Sequence, residues 1–500
     1  MRNIAFLSIG PEIILLGAAL AVLMVAVTLD LGSRMWAAIA FTGLALAVLL
    51  SWVQWIRVDD LGAQLNYGGD TGPVAMVVMD HFSSFAGILI FLVTGLALLG
   101  AWPLVESLKQ RGAEFVALAL LAIAGLHTMA LANNLILLFV GLETASIALY
   151  VIAGFVREQP TSDEASMKYF LLGSFASAIF LYGIALTFAG TGTTSIYGNG
   201  IDDFVTGNLL NLLINGRESV LMVGIAFLVV GLAFKVSAAP FHQWAPDVYQ
   251  GSAGGSVGLM AAGVKVAGFA AMARILAGAF PAAVDVWSPA VAAVAALSVV
   301  LGTVLAIAQT DIKRMLAYSG VAHAGFILTA LVGAQDGVPA MWFYVATYSF
   351  QLVGAFAIAA IVSGPRSGAA RLDEYRGLAR RSPVLALAMA VLMLSMAGIP
   401  FTAGFVGKIG VFAAAIGGGY VWLAIVGLVT AVAGLFFYLR VIVLMYFQEP
   451  VLVEGPGAAT APPMITDHGR VTVGAAIAVT IGFGLVPWPL LNLVEYALPL

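Results

Sequence analysis

The chain has 500 residues, of which 62% are hydrophobic and only 9% are charged, and its mean hydropathy is +1.05. Soluble domains carry about 25% charged residues, so this composition excludes a soluble protein and indicates an integral membrane protein. The lack of cysteine excludes disulfides and thiolate-bound iron–sulfur clusters, and the scattered basic residues with a net charge of -4 give no sign of nucleic-acid binding.

Transmembrane helices need about 20 consecutive apolar residues, and the sequence contains fourteen such stretches. We therefore predict an all-α polytopic membrane protein with about fourteen transmembrane helices. The predicted spans are 10–29, 35–56, 78–102, 114–132, 134–156, 165–189, 219–248, 252–277, 288–309, 314–334, 338–363, 383–417, 419–447 and 471–494. Residues 201–214, between the sixth and seventh spans, predict either an interfacial helix or a loop.

The distribution of basic residues tests this count, because arginine and lysine concentrate in loops on the inner side of a membrane. With fourteen spans, most basic residues fall on one side, and the most basic loop, 364–382, lies there. The first apolar stretch contains Glu12 and is followed by many equivalent stretches, so it predicts a transmembrane helix rather than a signal peptide. Both termini are then expected on the outer, periplasmic face.

Three lysines lie deep inside predicted spans. Lys235 follows an apolar run that begins at Val220, Lys265 is midway along the eighth span, and Lys408 lies in the long twelfth span. An ammonium group at bilayer depth costs about 3 kcal/mol on insertion scales, so a lysine there marks an ion or proton path by default.

Two prolines, Pro240 and Pro400, interrupt the spans that contain Lys235 and Lys408. A proline removes a backbone donor and leaves carbonyl groups that need protein or water partners. Two broken helices in corresponding positions indicate an internal repeat of five spans, and a five-span repeat is inverted in the membrane. The predicted regions are three N-terminal helices in 1–112, a first repeat in 113–280, a second, inverted repeat in 281–450, and a loop with a C-terminal helix in 451–500.

Glu143, in the fifth predicted span, has no basic neighbour in the sequence and is the best counter-ion for Lys235. At a separation of about 4 Å and an effective dielectric constant of about 20, the attraction is about 4 kcal/mol. Pairing keeps the ammonium group protonated, and separation favours release of its proton. We therefore expect a proton switch; the alternative is a static ion pair that only joins two helices.

Two histidines also lie in predicted spans: His323 about midway along the tenth, and His127 towards the end of the fourth. Each can relay protons near neutral pH or can simply be hydrogen-bonded to a carbonyl group. Asp80 and Asp311 lie near span ends, where we expect interfacial positions. Phosphate-loop, dinucleotide-binding and metal-binding motifs are missing, so the sequence indicates movement of ions rather than covalent chemistry.

Four segments carry a resemblance to a known family: 138–150 with Glu143, 234–252, 316–326 and 394–408. Together they resemble the antiporter-like membrane subunits of respiratory complex I, and the similarity extends over essentially the whole chain. The sequence Pro-Asp-Val-Tyr-Gln-Gly at 246–251 and the lysine at 408 are more similar to subunit N, the relative of mitochondrial subunit 2, than to subunits L and M. The resemblance implies two inverted five-helix repeats and a proton route through Glu143, Lys235, Lys265 and Lys408, with His323 as a further candidate relay.

The resemblance also implies a function, that of a subunit of proton-translocating NADH:quinone oxidoreductase in which quinone reduction elsewhere drives the protons. It implies no cofactor and no redox active site on this chain, with NADH, flavin, iron–sulfur clusters and quinone on partner subunits. The implied partners are an adjacent antiporter-like subunit and the small membrane subunits. The alanine- and glycine-rich sequence without a transit peptide favours a bacterial inner (cytoplasmic) membrane over a mitochondrial one. Two alternatives are a subunit of a multisubunit cation/proton antiporter and a scaffold whose lysines are vestigial.

Overall fold

The computed structural model describes residues 6–29, 32–66, 75–197, 218–368, 370–450 and 463–499, and most of them are helical. Every predicted span overlaps at least one helix of the structure. The segment 201–214, for which the sequence left a helix or a loop open, lies outside the described residues.

Ten helices whose bounds are fully described lie in the chain up to residue 279. These are α1 (Gly10–Thr28), α2 (Ser33–Leu61), α3 (His81–Gly100), α4 (Trp102–Ser107), α5 (Arg111–Leu131), α6 (Leu135–Ala153), α7 (Pro160–Thr191), α8 (Glu218–Lys235), α9 (Trp244–Gly251) and α10 (Gly254–Ala273), which continues as a π-helix (Arg274–Ala279).

The second half continues with nine more helices in the described ranges. These are α11 (Val284–Ile307), α12 (Ile312–Leu331), α13 (Val338–Ser363), α14 (Leu378–Arg381), α15 (Pro383–Ala397), α16 (Ala403–Gly417), α17 (Val421–Phe447), α18 (Asp467–Leu485) and α19 (Trp488–Tyr496). Short 3₁₀ turns lie at Pro281–Ala283, Ala334–Gly337 and Leu372–Tyr375.

A small β-hairpin departs from the all-α prediction. Strand β1 (Gln64–Asn66) pairs antiparallel with β2 (Val77–Met79), with Gln64 opposite Met79. Strands of three residues are too short for an alternating pattern of apolar and polar residues to be recognised in a sequence.

Within the described ranges, eleven helices are long and apolar enough to cross a membrane. Shorter apolar helices lie at Ser219–Lys235, Pro383–Ala397 and Ala403–Gly417, on either side of the two interruptions predicted from the prolines. Helix α10 is buried along its whole length and packs against α13, so these two helices form the centre of the protein. Large apolar side chains such as Val429, Val432 and Phe436 of α17 are exposed, as expected for a surface that faces lipid or other apolar chains.

Glycines allow two helix pairs to approach at backbone distance. A Cβ atom at Gly125 of α5 would lie 2.6 Å from the amide nitrogen of Ala145 and 2.7 Å from the carbonyl oxygen of Gly141, both on α6. Helices α11 and α12 cross in the same way at Gly302, whose Cβ would lie 2.8 Å from the carbonyl oxygen of Tyr318. Such close crossings are typical of helix packing in membranes, where small residues take the place of a hydrophobic driving force.

We expect Gly125→Ala to destabilise the protein by about 1–3 kcal/mol, because the added methyl group meets backbone atoms that cannot move independently of α6. The measurement is the temperature at which the purified protein aggregates in detergent. Gly17→Ala, on α1, is the matched control, because a Cβ at Gly17 has no neighbour within 4 Å. Equal aggregation temperatures for the two variants would contradict the close crossing of α5 and α6.

Candidate functional site

The chain leaves the helical conformation twice in the middle of the protein, between α8 and α9 and between α15 and α16. Ser237 in the first break has a φ of 60°, and Gly398 in the second has a φ of 89°, so each break contains a left-handed residue. A helix that stops leaves up to four carbonyl groups without partners, and in a membrane no bulk water replaces them. The side chains that bind these carbonyl groups therefore decide whether the breaks are stable.

Pro240 and Pro400 lie in these two breaks, as the sequence predicted. The first break is tied to its surroundings by Ala239, whose amide donates to Ser298 Oγ on α11 at 2.8 Å. Trp244, the first residue of α9, donates its indole N–H to the carbonyl oxygen of Phe234 at 2.9 Å. The bond closes the first break, because Phe234 lies in the last turn of α8.

Lys265 projects from α10 and joins the first break to α12. Its Nζ donates to the carbonyl oxygen of Val236 at 2.8 Å and to that of Gly320 at 2.9 Å. The side chain is 2% exposed. A Cβ atom at Gly320 would lie 3.7 Å from this Nζ, in ordinary van der Waals contact.

Lys408, on α16, binds the end of α15 across the second break. Its Nζ donates to the carbonyl oxygens of Ala397 at 2.7 Å and Met396 at 3.0 Å. The ammonium group also lies 4.9 Å from the centre of the Phe326 ring, within the range of a cation–π interaction. Each break therefore places carbonyl groups within reach of a buried lysine from another helix.

Lys235 and Glu143 lie close to one another but form no direct ion pair in the described part of the chain. Lys235 Nζ donates to Ser146 Oγ on α6 at 2.7 Å, whereas the Glu143 carboxylate accepts a hydrogen bond from Ser177 on α7. A cavity of about 10 Å³, the room of about one water molecule, is lined by Ser146, Ser177 and Lys235. The predicted counter-ion contact is thus replaced by two serines, and the switch role stays a prediction.

His323 binds hydroxyl groups on both sides of its ring. Tyr344 Oη lies 2.9 Å from Nδ1 and Tyr438 Oη lies 3.0 Å from Nε2, and the ring stacks on Tyr348 with the centroids 4.2 Å apart. Tyr438 Oη also lies 2.5 Å from Ser319 Oγ. His323 is therefore bound to hydroxyl groups and not to a carbonyl group, which was the alternative for this histidine. Hydroxyl groups can both donate and accept hydrogen bonds.

The buried lysines and His323 form a connected set through the centre of the protein. Lys235 precedes Val236, whose carbonyl group binds Lys265, and Lys265 binds Gly320 on the helix that carries His323. Tyr344, a partner of His323, packs against Gly407, where a Cβ atom would lie 2.9 Å from the tyrosine ring. Gly407 precedes Lys408, so the set extends from one helix break to the other.

A polar cleft of about 300 Å³ opens beside α9, at the ends of α7 and α12 that adjoin the loop 364–382. Asp247 is central to it, because its carboxylate accepts from Lys168 Nζ at 2.7 Å and from Arg314 at 2.5 Å. Asp247 belongs to the segment 246–251 that carried the resemblance. The cleft lies on the side that the basic loops predict to be the inner face.

The structure also contains buried ion pairs that the sequence did not indicate. Arg274 is fully buried and binds both carboxylate oxygens of Asp80, at 2.9 and 3.0 Å. Asp80 and Asp311 lie at helix ends, as expected, but both are buried rather than interfacial, because each caps a helix and binds further groups. Pairing between residues 194 positions apart leaves no signal in a single sequence. Within the described ranges, no three His, Asp or Glu side chains gather in a way that could hold a metal ion.

Comparisons with known proteins give consistent results. A family model described as NADH:quinone oxidoreductase/Mrp antiporter, TM, matches residues 132–434. The chain is 37% identical to NADH-quinone oxidoreductase subunit N of Trichlorobacter lovleyi, over 98% of this chain and 96% of that protein.

Solved structures extend the similarity to the fold. A chain of respiratory complex I from Thermus thermophilus with bound aureothin is 32% identical, with a TM-score of 0.78, covering 96% of this chain and 98% of that one. A chain of the Mrp complex from Dietzia sp. DQ12-45-1b has a TM-score of 0.85 over 99% of this chain and 97% of that one. Its identity is 22%, so it shares the fold.

We expect Trp244→Phe to destabilise the protein by about 1 kcal/mol more than a matched tryptophan substitution, because it removes the hydrogen bond that closes the first break. The control is Trp36→Phe, since Trp36 is also buried but its indole N–H has no hydrogen-bond partner. Both substitutions lose a similar volume. Thermal aggregation in detergent measures the difference, and equal effects would show that the indole bond does not support the break.

Proposed function

The chain belongs to the subunit N family of NADH-quinone oxidoreductase, and from this premise we propose that Glu143, Lys235, Lys265, His323 and Lys408 carry protons through it. It is a proton-translocating membrane subunit of that enzyme and contributes to the reaction as part of a translocase. One observation supports this choice of residues. The buried lysines Lys235, Lys265 and Lys408 each bind uncharged oxygen atoms near the two helix breaks.

We propose that the chain crosses the membrane fourteen times. The eleven long apolar helices supply eleven crossings. Helix α12 supplies another, and the broken pairs α8–α9 and α15–α16 supply one each. Helix α12 is less apolar than the others because it carries Lys313, Arg314 and His323, yet it is enclosed by other helices along most of its length.

The two glycine crossings support two five-helix repeats, one from α5 to α10 and one from α11 to α17. Gly125 and Gly302 occupy equivalent places on the first helix of each block. The carbonyl groups that they approach, those of Gly141 and Tyr318, each follow their glycine by 16 residues. Because a block of five crossings reverses direction, the second repeat is inverted relative to the first.

Fourteen crossings put both termini on one face, and the basic loops favour the outer face of a bacterial inner membrane for them. The partners that we propose are an adjacent antiporter-like subunit and the small membrane subunits of the enzyme. In this proposal NADH, flavin, iron–sulfur clusters and quinone bind to other subunits.

The proposed route begins at the polar cleft around Asp247, on the face that the basic loops favour as the inner side. A proton from the cytoplasm enters near the first break and reaches Lys235 or Lys265. The residues of the break favour this step, because carbonyl groups and hydroxyl groups there can hold water next to the ammonium groups.

The proposed switch is a movement of the Glu143 carboxylate between Ser177 and Lys235. When the carboxylate stays with Ser177, Lys235 has a neutral hydroxyl partner and can release its proton; when it approaches Lys235, the ammonium form is favoured. The attraction of about 4 kcal/mol at an effective dielectric constant of about 20 exceeds the roughly 2.3 kcal/mol that one charge costs against 100 mV. A signal from a neighbouring subunit therefore needs to move only one side chain.

The onward path in this proposal passes from Lys265 to His323 and then to Lys408. The hydroxyl groups of Tyr344 and Tyr438 flank His323 and can pass protons by exchanging donor and acceptor roles. From Lys408 the proton leaves to the outer face beside the break at Pro400.

We expect Lys235→Ala and Glu143→Ala each to reduce proton pumping by about tenfold or more, because each removes one charge of the switch. The attraction between the two charges exceeds about 1.4 kcal/mol, the energy that corresponds to a factor of ten. Pumping coupled to NADH oxidation is measured in membrane vesicles that contain the assembled enzyme. Lys109→Ala is the control, because Lys109 is an exposed lysine outside the buried set.

If both variants pumped protons at the wild-type level, Glu143 and Lys235 would not act as a switch. Replacement of Lys235, Lys265 and Lys408 together tests the scaffold alternative. A normal number of protons pumped per NADH in that triple variant would favour a purely structural role for the chain.

The alternative function, a subunit of a multisubunit cation/proton antiporter, predicts a different set of partners. We expect affinity purification of the tagged chain from its native membrane to recover an assembly with flavin, iron–sulfur clusters and NADH-dependent quinone reduction, since proteins that are 37% and 44% identical to it are subunit N. Recovery of a cofactor-free assembly of antiporter subunits would instead support the alternative.

A further inference from the structure

Two tyrosines outside the route described so far, Tyr150 of α6 and Tyr169 of α7, lie between the polar cleft and the cavity beside Lys235. Their rings meet edge to face, with the centroids 4.7 Å apart. Tyr150 is 6% exposed and Tyr169 is fully buried. Both rings are therefore enclosed by other parts of the protein.

One face of α7 runs from the polar cleft to the cavity. Ala165 lines the cleft and Gly173 lines the cavity, and Tyr169 is halfway between them in the sequence. All three residues are buried. Residues four apart lie on the same face of a helix, about 6 Å from one another along its axis. Along α7 the cleft and the cavity are thus about 12 Å apart, and Tyr169 is the residue between them.

Tyr150 is placed on the cavity side. It lines the cavity together with Lys235, and its hydroxyl group lies against Gly173, where a Cβ atom would overlap it. The same hydroxyl group is a hydrogen-bond partner of Ser146, whose Oγ accepts from Lys235 Nζ at 2.7 Å. A hydrogen-bonded series therefore leads from Tyr150 through Ser146 to the lysine.

The hydroxyl group of Tyr169 has no hydrogen-bond partner within the described part of the chain. Its ring is held in place, because it stacks on Trp244 with the centroids 4.4 Å apart and also contacts the ring of Tyr150. A phenylalanine would supply the same stacking without the hydroxyl group. Buried hydroxyl groups are nearly always paired, so an unpaired one on a fixed ring calls for a water molecule or a function.

A tyrosine hydroxyl group can donate and accept a hydrogen bond at the same time. It can take up a proton from water on one side and give its own proton to an acceptor on the other side. One O–H bond forms as another breaks, and the tyrosine is neutral before and after. The cleft has room for several water molecules, and the cavity has room for about one.

We propose that Tyr169 and Tyr150 carry protons from the polar cleft to Lys235. Tyr169 takes up a proton from water of the cleft, and its own proton passes to Tyr150 through a water molecule, because the two hydroxyl groups do not bind each other directly. Tyr150 then passes a proton to Lys235 by way of Ser146 or a water molecule in the cavity. The inference rests on the proposed function, since it takes Lys235 as the group that receives the proton.

Tyr169→Phe tests the relay, because it removes the hydroxyl group and keeps the ring on Trp244. We expect proton pumping by the assembled enzyme in membrane vesicles to fall to a level comparable with that of Lys235→Ala. The matched control is Tyr375→Phe. Tyr375 is also fully buried with an unpaired hydroxyl group, but its 3₁₀ turn packs against α13 and α17.

Two further measurements separate a relay from a structural role. Heavy water is expected to slow pumping more in Tyr169→Phe than in wild type, because proton transfer becomes the limiting step there, whereas a packing defect would leave this ratio unchanged. The double variant Tyr150→Phe/Tyr169→Phe is expected to lose no more pumping than the more severe single variant, since both hydroxyl groups act in one series.

The relay is overturned while the proposed function stands if Lys235→Ala lowers pumping and Tyr169→Phe pumps at the wild-type level. A loss in Tyr375→Phe as large as that in Tyr169→Phe also overturns it, as does a double variant in which the two single losses multiply. Wild-type pumping in Lys235→Ala overturns the proposed function itself, and the relay with it.

Discussion

Carbonyl groups in the middle of a membrane protein need donors, and the centre of this structure depends on that constraint. Helices α8 and α15 stop where no bulk water takes over their hydrogen bonds. Lysines from α10 and α16 supply the missing donors to Val236, Ala397 and Met396. In the proposed function, the charge that proton transfer requires and the donor that the broken backbone requires are the same ammonium groups.

Helix α12 connects the lysine at the first break with His323. Its Gly320 presents a carbonyl group to Lys265, and one turn later His323 faces two tyrosine hydroxyl groups. The glycine crossing with α11 holds α12 at backbone distance from a neighbour in the same block. A shift of α12 would thus change the surroundings of Lys265 and His323 together.

The sequence was sufficient for the class of protein, the family and the location of the helices, because apolar length and charge depletion are local properties. It also indicated the breaks at Pro240 and Pro400, since proline acts on its own backbone. The sequence did not predict the partners of the lysines, because Val236, Gly320 and Ala397 contribute carbonyl oxygens, which every residue has. The serines that separate Glu143 from Lys235 depend on how three helices pack, and the hairpin is too short to leave a pattern.

The number of bonds that Lys265 and Lys408 make has a consequence for their chemistry. Each Nζ binds two carbonyl oxygens, whereas an ammonium group has three N–H donors. After losing a proton, the amine still has two N–H groups for the same two carbonyl oxygens, and its lone pair occupies the third direction. In the proposed route, either lysine can therefore gain or lose a proton and keep both of its carbonyl partners, so these backbone contacts are the same before and after each transfer.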